Sequence, residues 1–235
     1  MLSIVIPCYN EAVVIEKSVD KVIDFMKSIK VDYELLLIND GSTDNSKEVF
    51  DKINLKYEVV KPYSYDKNRG KGYAVNYGFK KSIGDIVLFM DADLATDLNS
   101  INDVLEIAFT RKDSYCIIGS RKMKGSLILN NNNRVRKIMS KYCTIFVNKL
   151  FKLNVSDSQC GFKCFDRKTA DYLAKNQTVY GWAFDAEFIL LMRRSNIDVI
   201  EIPVIWENEK RSSVSPIKSS IAYIREMIRI KRLYK

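Results

Sequence analysis

Residues 84–97, GDIVLFMDADLATD, run from an apolar segment directly into a cluster of carboxylates. The apolar segment Ile86–Met90 predicts a buried strand, and Asp91, Asp93 and Asp97 follow it. Like charges this close repel one another and resist desolvation, so the cluster requires something that neutralises it. A metal ion, a basic cluster and simple solvation all remain open from this stretch alone.

Apolar segments alternate with helix-like segments through the first half of the chain. The predicted strands are Leu2–Ile6, Tyr33–Ile38, Glu58–Lys61, Asp85–Met90 and Tyr115–Ile118. The predicted helices lie at about residues 11–29, 43–53, 71–82 and 98–110. Strands that are apolar nearly throughout and alternate with helices predict an α/β fold, with a mostly parallel central sheet flanked by helices.

Polar motifs follow three of these strands. They are PCYNE (7–11), NDGSTDNS (39–46) and DAD (91–93). Because ligands of such sheets bind at the carboxyl ends of the strands, we expect the three motifs to share one functional edge. Turn and cap chemistry explains Gly41 and Thr43 but not Asp40, which precedes the turn, and we predict a binding role for Asp40.

The composition narrows the chemistry further. The 235 residues include no His, which excludes imidazole chemistry and leaves proton transfer or metal binding mainly to Asp and Glu. The five Cys form no CxxC pair, so we expect reduced thiols. We expect no secretory signal and no membrane span, since no stretch approaches about 20 apolar residues. A single domain over residues 1–235 is the natural organisation.

Positive charge is concentrated in the second half of the chain. The net charge is +9, and Arg121–Lys152 contains nine basic residues and no acidic one. Residues 134–152 and 217–234 each predict a basic amphipathic helix. The apolar stripe of the second helix is formed by Ile217, Ile221, Ile224 and Ile228. Such helices either pack on a core with solvated charges or lie on an anionic membrane, and both interpretations stay open.

Four motifs, in order, resemble the family 2 glycosyltransferases with the GT-A fold: SIVIPCYNE, LLINDGSTDNS, NRGKGYAVNYGF and LFMDADLATD. Later motifs resemble the polyprenyl-phosphate branch of that family, above all the dolichyl-phosphate β-glucosyltransferases. These are IGSR, DSQCGFKCF, GWAFDAEFIL and IPVIWENEKRSSVSP. The resemblance implies a Rossmann-like GT-A sheet, a nucleotide-sugar-binding half at residues 1–120, and an acceptor half at residues 121–235 with a C-terminal amphipathic helix.

The resemblance also implies how the donor is held. Asp91 and Asp93 would bind Mg2+ or Mn2+, the hard cations that suit carboxylate and diphosphate oxygens. The residues implied for the nucleotide-sugar pocket are Pro7, Tyr9, Glu11, Asp40, Lys71, Asp91 and Asp93. Tyr9 offers a stacking face, Asp40 an acceptor for the base, and Lys71 a cation near a helix N-terminus.

The acceptor implied by the resemblance is a polyprenyl or dolichyl phosphate. Arg121, Arg134 and Arg136 are suited to its phosphate because a guanidinium grips phosphate through two hydrogen bonds, and Gln159 would assist. Asp157 matches the family position of a general base or of a carboxylate that orients the acceptor, and both roles stay open. The catalytic residues we expect are Asp157, Asp93 and Arg121.

The expected reaction is inverting transfer of glucose from UDP-glucose. The alternatives are GDP-mannose as donor, which is disfavoured because Ala95 stands where mannose synthases commonly carry Gln, or a glycan as acceptor. A non-enzymatic binder of nucleic acid or anionic membrane is a distant alternative, since it leaves the ordered carboxylate motifs without a purpose. We expect a cytoplasmic protein, peripheral on the cytoplasmic face of a membrane. Its expected partners are an anionic membrane surface and a possible membrane protein, but no nucleic acid.

Overall fold

The computed structural model describes residues 1–129, 145–151, 153–207 and 216–234, with side chains of the last segment described from residue 222. The strands are β1 (Leu2–Cys8), β2 (Tyr33–Asp40), β3 (Val60–Tyr65), β4 (Ile86–Met90), β5 (Tyr115–Ser120), β6 (Leu127–Leu129), β7 (Phe162–Asp166), β8 (Asp198–Pro203) and β9 (Ile205–Glu207). The helices are α1 (Ile15–Lys27), α2 (Ser46–Lys56), α3 (Lys71–Lys81), α4 (Ser100–Thr110), α5 (145–151), α6 (Arg167–Asn176), α7 (Phe184–Arg194) and α8 (Pro216–Leu233).

The central sheet has the strand order β3-β2-β1-β4-β7-β5-β8 within the described residues. Every neighbouring pair is parallel except the two that involve β7, which is antiparallel to both β4 and β5. A separate parallel ribbon pairs β6 with β9. The predicted α/β class with a mostly parallel sheet is therefore confirmed.

The five predicted strands and four predicted first-half helices are all present. Four strands continue beyond their predicted ends, to Cys8, Asp40, Tyr65 and Ser120. The first helix begins later than predicted, at Ile15, because residues before it belong to the loop after β1. Each strand extension carries polar or small residues to the functional edge of the sheet, where hydropathy alone gives no strand signal.

The sheet is covered on both faces, so each strand contributes to two apolar clusters. One cluster combines alternate strand residues such as Ile4 and Leu37 with apolar residues of α1, α2 and α4. The other combines Val5 and Leu36 with residues of α3, α6, α7 and α8. Alternation of side chains along a strand explains this division.

The face of helix α8 that is buried is not the face that carries its predicted isoleucine stripe. Tyr223, Met227 and Ile230 are buried, whereas Ile224 and Ile228 are exposed. The buried face thus uses an aromatic residue and a methionine in addition to an isoleucine, and two stripe residues face outward. Most of the other predicted basic helix, including Arg134 and Arg136, lies outside the described residues. Among the described residues, no helix is both long and apolar enough to cross a bilayer.

Candidate functional site

The loops after β1 and β2 are tied together at the functional edge by Asn10. Its Oδ1 accepts from the backbone N–H of Thr43 (2.8 Å) and of Asp44 (3.3 Å), while its own N–H donates to Ser42 Oγ (2.9 Å). Asn10 has a φ of +58°, a left-handed conformation that asparagine tolerates better than most residues. The motifs PCYNE and NDGSTDNS are therefore joined at one edge of the sheet, as predicted.

Asp40 at the end of β2 holds the loop that precedes α3. Its Oδ1 accepts from the N–H of Arg69 (2.7 Å) and from Tyr65 Oη (2.9 Å), and its Oδ2 accepts from the N–H of Gly70 (3.0 Å). The residue is almost fully buried, and burial raises the pKa of its carboxyl although these donors oppose the shift. The structure thus gives Asp40 a loop-positioning contact, and recognition of a nucleotide base by Asp40 stays a prediction.

Lys71, the first residue of α3, reaches the end of β4. Its Nζ lies 2.6 Å from Oδ1 of Asp91, and its side chain is 23% exposed. Burial acts to lower the pKa of Lys71, but the carboxylates of Asp91 and Asp185 raise it overall. A cation is thereby fixed beside the first carboxylate of the DAD motif.

Gly161 gives Asp91 the space that its carboxylate occupies. The N–H of Asp91 donates to the carbonyl oxygen of Gly161 at 3.1 Å, and a Cβ on Gly161 would fall 1.9 Å from Asp91 Oδ2. Gly161 does not have a positive φ, so the requirement for glycine comes from this approach and not from backbone strain. The DSQCGFKCF motif therefore shapes the end of β4.

We expect Gly161→Ala to weaken the site without a comparable loss of fold stability. The added methyl group meets only the carboxylate end of the Asp91 side chain, so it must displace that carboxylate and with it the ion pair to Lys71. Binding of UDP in the presence of Mn2+, followed by calorimetry, should weaken about tenfold or more. Unchanged UDP affinity in a folded Gly161→Ala protein would show that the position of Asp91 does not matter.

Carboxylates accumulate around the DAD motif. Asp93 is exposed, and its Oδ1 accepts from the N–H of Ala95 at 3.1 Å. Burial first, and then the charges of Asp93, Asp44 and Asp91, raise the pKa of Glu11 to about 7. Such a set of oxygen donors suits a hard divalent cation.

No set of three or more Asp, Glu or Cys side chains in the described part of the chain is arranged to hold a metal ion by itself. Mg2+-type sites commonly use one or two carboxylates and complete their coordination with substrate phosphates. Asp91 and Asp93 fit that arrangement.

The raised pKa of Glu11 predicts a pH-dependent stability difference. Its carboxyl has an ordinary pKa of 4.5 and one of about 7 in the folded protein, so ionisation costs folding stability as the pH rises through this interval. Glu11→Gln removes that cost. With a chelator present, the melting temperature of Glu11→Gln relative to that of wild type should therefore increase as the pH rises from about 4.5 to about 7.5. The exposed Glu48→Gln on α2 is the matched control. A Glu11→Gln difference that is constant over this range would contradict the electrostatic picture.

The half-buried Arg121 and the buried Asp157 form an ion pair at the end of β5. Nε of Arg121 donates to Oδ2 of Asp157 at 2.6 Å and Nη2 donates to Oδ1 at 2.9 Å. Burial acts to raise the pKa of Asp157, but Arg121 brings it below its ordinary value. Asp157 is therefore a carboxylate that orients Arg121. Either role in the reaction, general base or orienting group for the acceptor, stays a prediction.

Two further contacts fix this pair. The Arg121 guanidinium lies over the ring of Trp206, 5.4 Å from its centroid. The carboxylate of Glu201 accepts from the N–H of Ser156 at 2.9 Å and of Asp157 at 3.3 Å. Glu201 on β8 thus holds the turn that presents Asp157.

The remaining predicted site residues have simpler positions. Pro7 is buried within β1, Tyr9 is exposed just beyond its end, and Gln159 is half-buried two residues after Asp157. Their predicted roles in the nucleotide pocket and at the acceptor stay predictions. Arg134 and Arg136 lie outside the described residues.

Sequence reasoning missed a buried lysine behind the site. Lys163 on β7 is fully buried, ion-pairs with Asp185, and donates to the carbonyl oxygen of Cys160 at 2.5 Å. Both Lys163 and Lys71 lie near the ring of Phe89, at 5.8 and 5.3 Å from its centroid. The signal available in the sequence was a lysine between Phe162 and Phe165 in an otherwise apolar stretch, since a buried lysine requires a partner.

The sequence profile of "Glycosyl transferase family 2" matches residues 3–173, most of the chain and all of the strand-end motifs. The chain belongs to this family. The match covers the donor-side loops and extends through Asp157 and β7, so the Arg121–Asp157 pair lies within the family domain.

This family 2 glycosyltransferase is similar over nearly its whole length to curated relatives. It is 33% identical to a dolichyl-phosphate β-glucosyltransferase of Dictyostelium discoideum, over 99% of this chain and 74% of the relative. The dolichyl-phosphate β-glucosyltransferase of Homo sapiens is 30% identical, over 99% and 75%. The similarity therefore continues beyond residue 173 into the last part of the chain.

Solved structures agree on the fold of this glycosyltransferase. Glucosyl-3-phosphoglycerate synthase from Mycobacterium tuberculosis, in complex with uridine diphosphate, has a TM-score of 0.70 at 19% identity, over 98% of this chain and 78% of that one. Mannosyl-3-phosphoglycerate synthase from Rubrobacter xylanophilus has a TM-score of 0.73 at 16% identity, over 100% and 74%. At these identities the likeness concerns the fold.

Proposed function

We propose that this enzyme transfers glucose from UDP-glucose to a dolichyl or related polyprenyl phosphate, with inversion at the anomeric carbon. The observation that carries the proposal is the similarity to dolichyl-phosphate β-glucosyltransferases over 99% of the chain, which includes the half that follows Arg121. The strand-end carboxylates and the half-buried Arg121 supply chemistry that suits such a transfer.

The donor side is proposed to bind a divalent cation, Mg2+ or Mn2+, through Asp91 and Asp93. When bound, the cation would neutralise charge that develops on the departing diphosphate. Lys71 supplies a second positive charge at the same place, since its Nζ lies 2.6 Å from Asp91. A related synthase has been crystallised with Mn2+ and uridine diphosphate, which supports this choice of ligands.

The acceptor side is proposed to bind the lipid phosphate at Arg121. A phosphate monoester has a second pKa of about 6, so at neutral pH it is already a nucleophile and needs positioning more than deprotonation. One of its oxygens forms a bond to C1 of the sugar while the bond from C1 to the diphosphate oxygen breaks, and UDP leaves with that electron pair. The Arg121 guanidinium has five N–H donors, and two of them donate to Asp157. The others remain for a phosphate.

A membrane surface is the proposed place of action, because the acceptor is a lipid. The exposed Ile224 and Ile228 on α8, beside Arg225 and Arg229, support contact with an anionic bilayer at the cytoplasmic face.

The test is a transfer assay with labelled UDP-glucose, Mg2+ or Mn2+, and dolichyl or undecaprenyl phosphate in detergent. We expect label in the organic phase that depends on the metal and on the lipid phosphate. GDP-mannose serves as the competing donor, and 3-phosphoglycerate and a free glycan serve as competing acceptors. Lipid-linked product from GDP-mannose alone, or transfer only to an acceptor without lipid, would overturn the assignment.

A further inference from the structure

The ribbon of β6 and β9 exposes apolar side chains next to the site. Leu127, Ile128 and Leu129 are 55%, 42% and 45% exposed, and Ile205 opposite Leu127 is 41% exposed. Successive side chains of a strand point to opposite faces, so β6 exposes apolar groups on both of its faces. Leu127, Leu129 and Ile205 share one face of the ribbon, and exposed apolar groups gathered in this way typically mark an interaction site.

The ribbon is attached to the loop that carries the DAD motif. The N–H of Asp97 donates to the carbonyl oxygen of Ile205 at 2.9 Å, and the N–H of Glu207 donates to that of Ala95 at 2.7 Å. Strand β9 therefore pairs with β6 on one side and with the segment just after Asp93 on the other. The apolar surface begins a few residues from the carboxylates.

The ribbon also adjoins the arginine proposed to hold the acceptor phosphate. Trp206, in the centre of β9, lies beneath the Arg121 guanidinium, and Arg121 begins the loop that leads into β6. Lys122 and Lys124 of this loop are exposed. The cations of this loop thus lead, in chain order, into the aliphatic side chains of β6.

This order of charges and apolar groups matches an amphiphile with an anionic head and a long hydrocarbon tail. We infer that the β6–β9 ribbon binds the isoprenoid chain of the acceptor, with its phosphate at Arg121. The inference rests on the proposed function and adds the surface on which the acceptor lipid lies. Charge complementarity favours this occupant, because residues 121–129 contain three cations and no acid while the ribbon itself carries one acid, Glu207, at its far end.

The test compares acceptors of different chain length. The double variant Leu127→Ser/Leu129→Ser is assayed in detergent with dolichyl phosphate and with a phosphate ester of two isoprene units. We expect the ratio of the long-chain KM to the short-chain KM to rise about tenfold over wild type, because two half-exposed leucines lose their apolar contact with the longer chain. The double variant Leu55→Ser/Ile83→Ser, which changes two exposed apolar residues elsewhere, should leave the ratio unchanged.

Two outcomes would overturn the inference. One is an unchanged KM ratio in a Leu127→Ser/Leu129→Ser protein with the wild-type melting temperature. The other is an unchanged ratio together with weaker binding to phosphatidylcholine–phosphatidylserine vesicles that lack polyprenyl phosphate, which would make the ribbon a general membrane contact. Failure of the proposed function is distinguishable, because the wild-type enzyme would then transfer sugar to neither lipid phosphate.

Discussion

Asp93→Asn is expected to lower the rate of sugar transfer about 10²- to 10³-fold. The substitution keeps the shape of the side chain but removes one of the two charges proposed to hold the divalent cation, and electrostatic stabilisation of a leaving group is worth several kcal/mol. Asp93 is exposed, so the fold should tolerate the change. The measurement is the initial rate of label transfer from UDP-glucose at saturating metal and lipid phosphate.

Asp97→Asn is the matched control for this experiment. Asp97 lies in the same loop, and its Oδ1 accepts from the N–H of Asn99 at 2.8 Å, a contact that an asparagine oxygen also makes. We expect activity within about twofold of wild type. Equal losses for Asp93→Asn and Asp97→Asn would mean that the loop as a whole, and not one ligand, determines activity.

Lys163→Met is expected to lower the free energy of unfolding by about 3–5 kcal/mol. The methionine has a similar length but leaves the buried Asp185 carboxylate without its partner, and breaking a buried ion pair from one side typically costs this much. Chemical denaturation followed by circular dichroism measures the change. The exposed Lys168→Met, on α6, should change stability by less than about 0.5 kcal/mol.

A double-mutant cycle separates the charge from the packing. Lys163→Met/Asp185→Asn removes both charges, so it should be less destabilising than the sum of the two single changes, with a coupling of about 1–3 kcal/mol. Additive effects would show that Lys163 acts through packing alone.

The strand-end carboxylates could be predicted from the sequence because they depend on local signals. An apolar run such as Ile86–Met90 and the polar residues after it are adjacent in the chain, and sheet topology then brings such ends together. Which charged side chains contact one another could not be predicted in this way. Arg121 and Asp157 were both singled out, yet their separation of 36 positions hides the ion pair that joins them.

Strand β7 and the face of α8 were missed for different reasons. β7 is short and contains the charged Lys163, so its hydropathy does not stand out as that of a central strand. On α8, the isoleucine stripe was a stronger periodic signal than the face that contains Tyr223 and Met227. Tyr223 and Met227 are the buried side chains, because a large aromatic ring and a flexible thioether fill the interior well.

The position of β7 has a consequence for how the chain folds during synthesis. Within the part of the chain that the structure describes, β5 pairs with β7 and β8, and both are translated later than β5 itself. A nascent chain that ends at residue 120 would therefore carry β5 without a pairing partner and β4 with one open edge, and unpaired edges of this kind promote aggregation. We expect the sheet to close only after the ribosome has passed Asp166, so fragments cut near residue 120 should recover native structure only when they are combined.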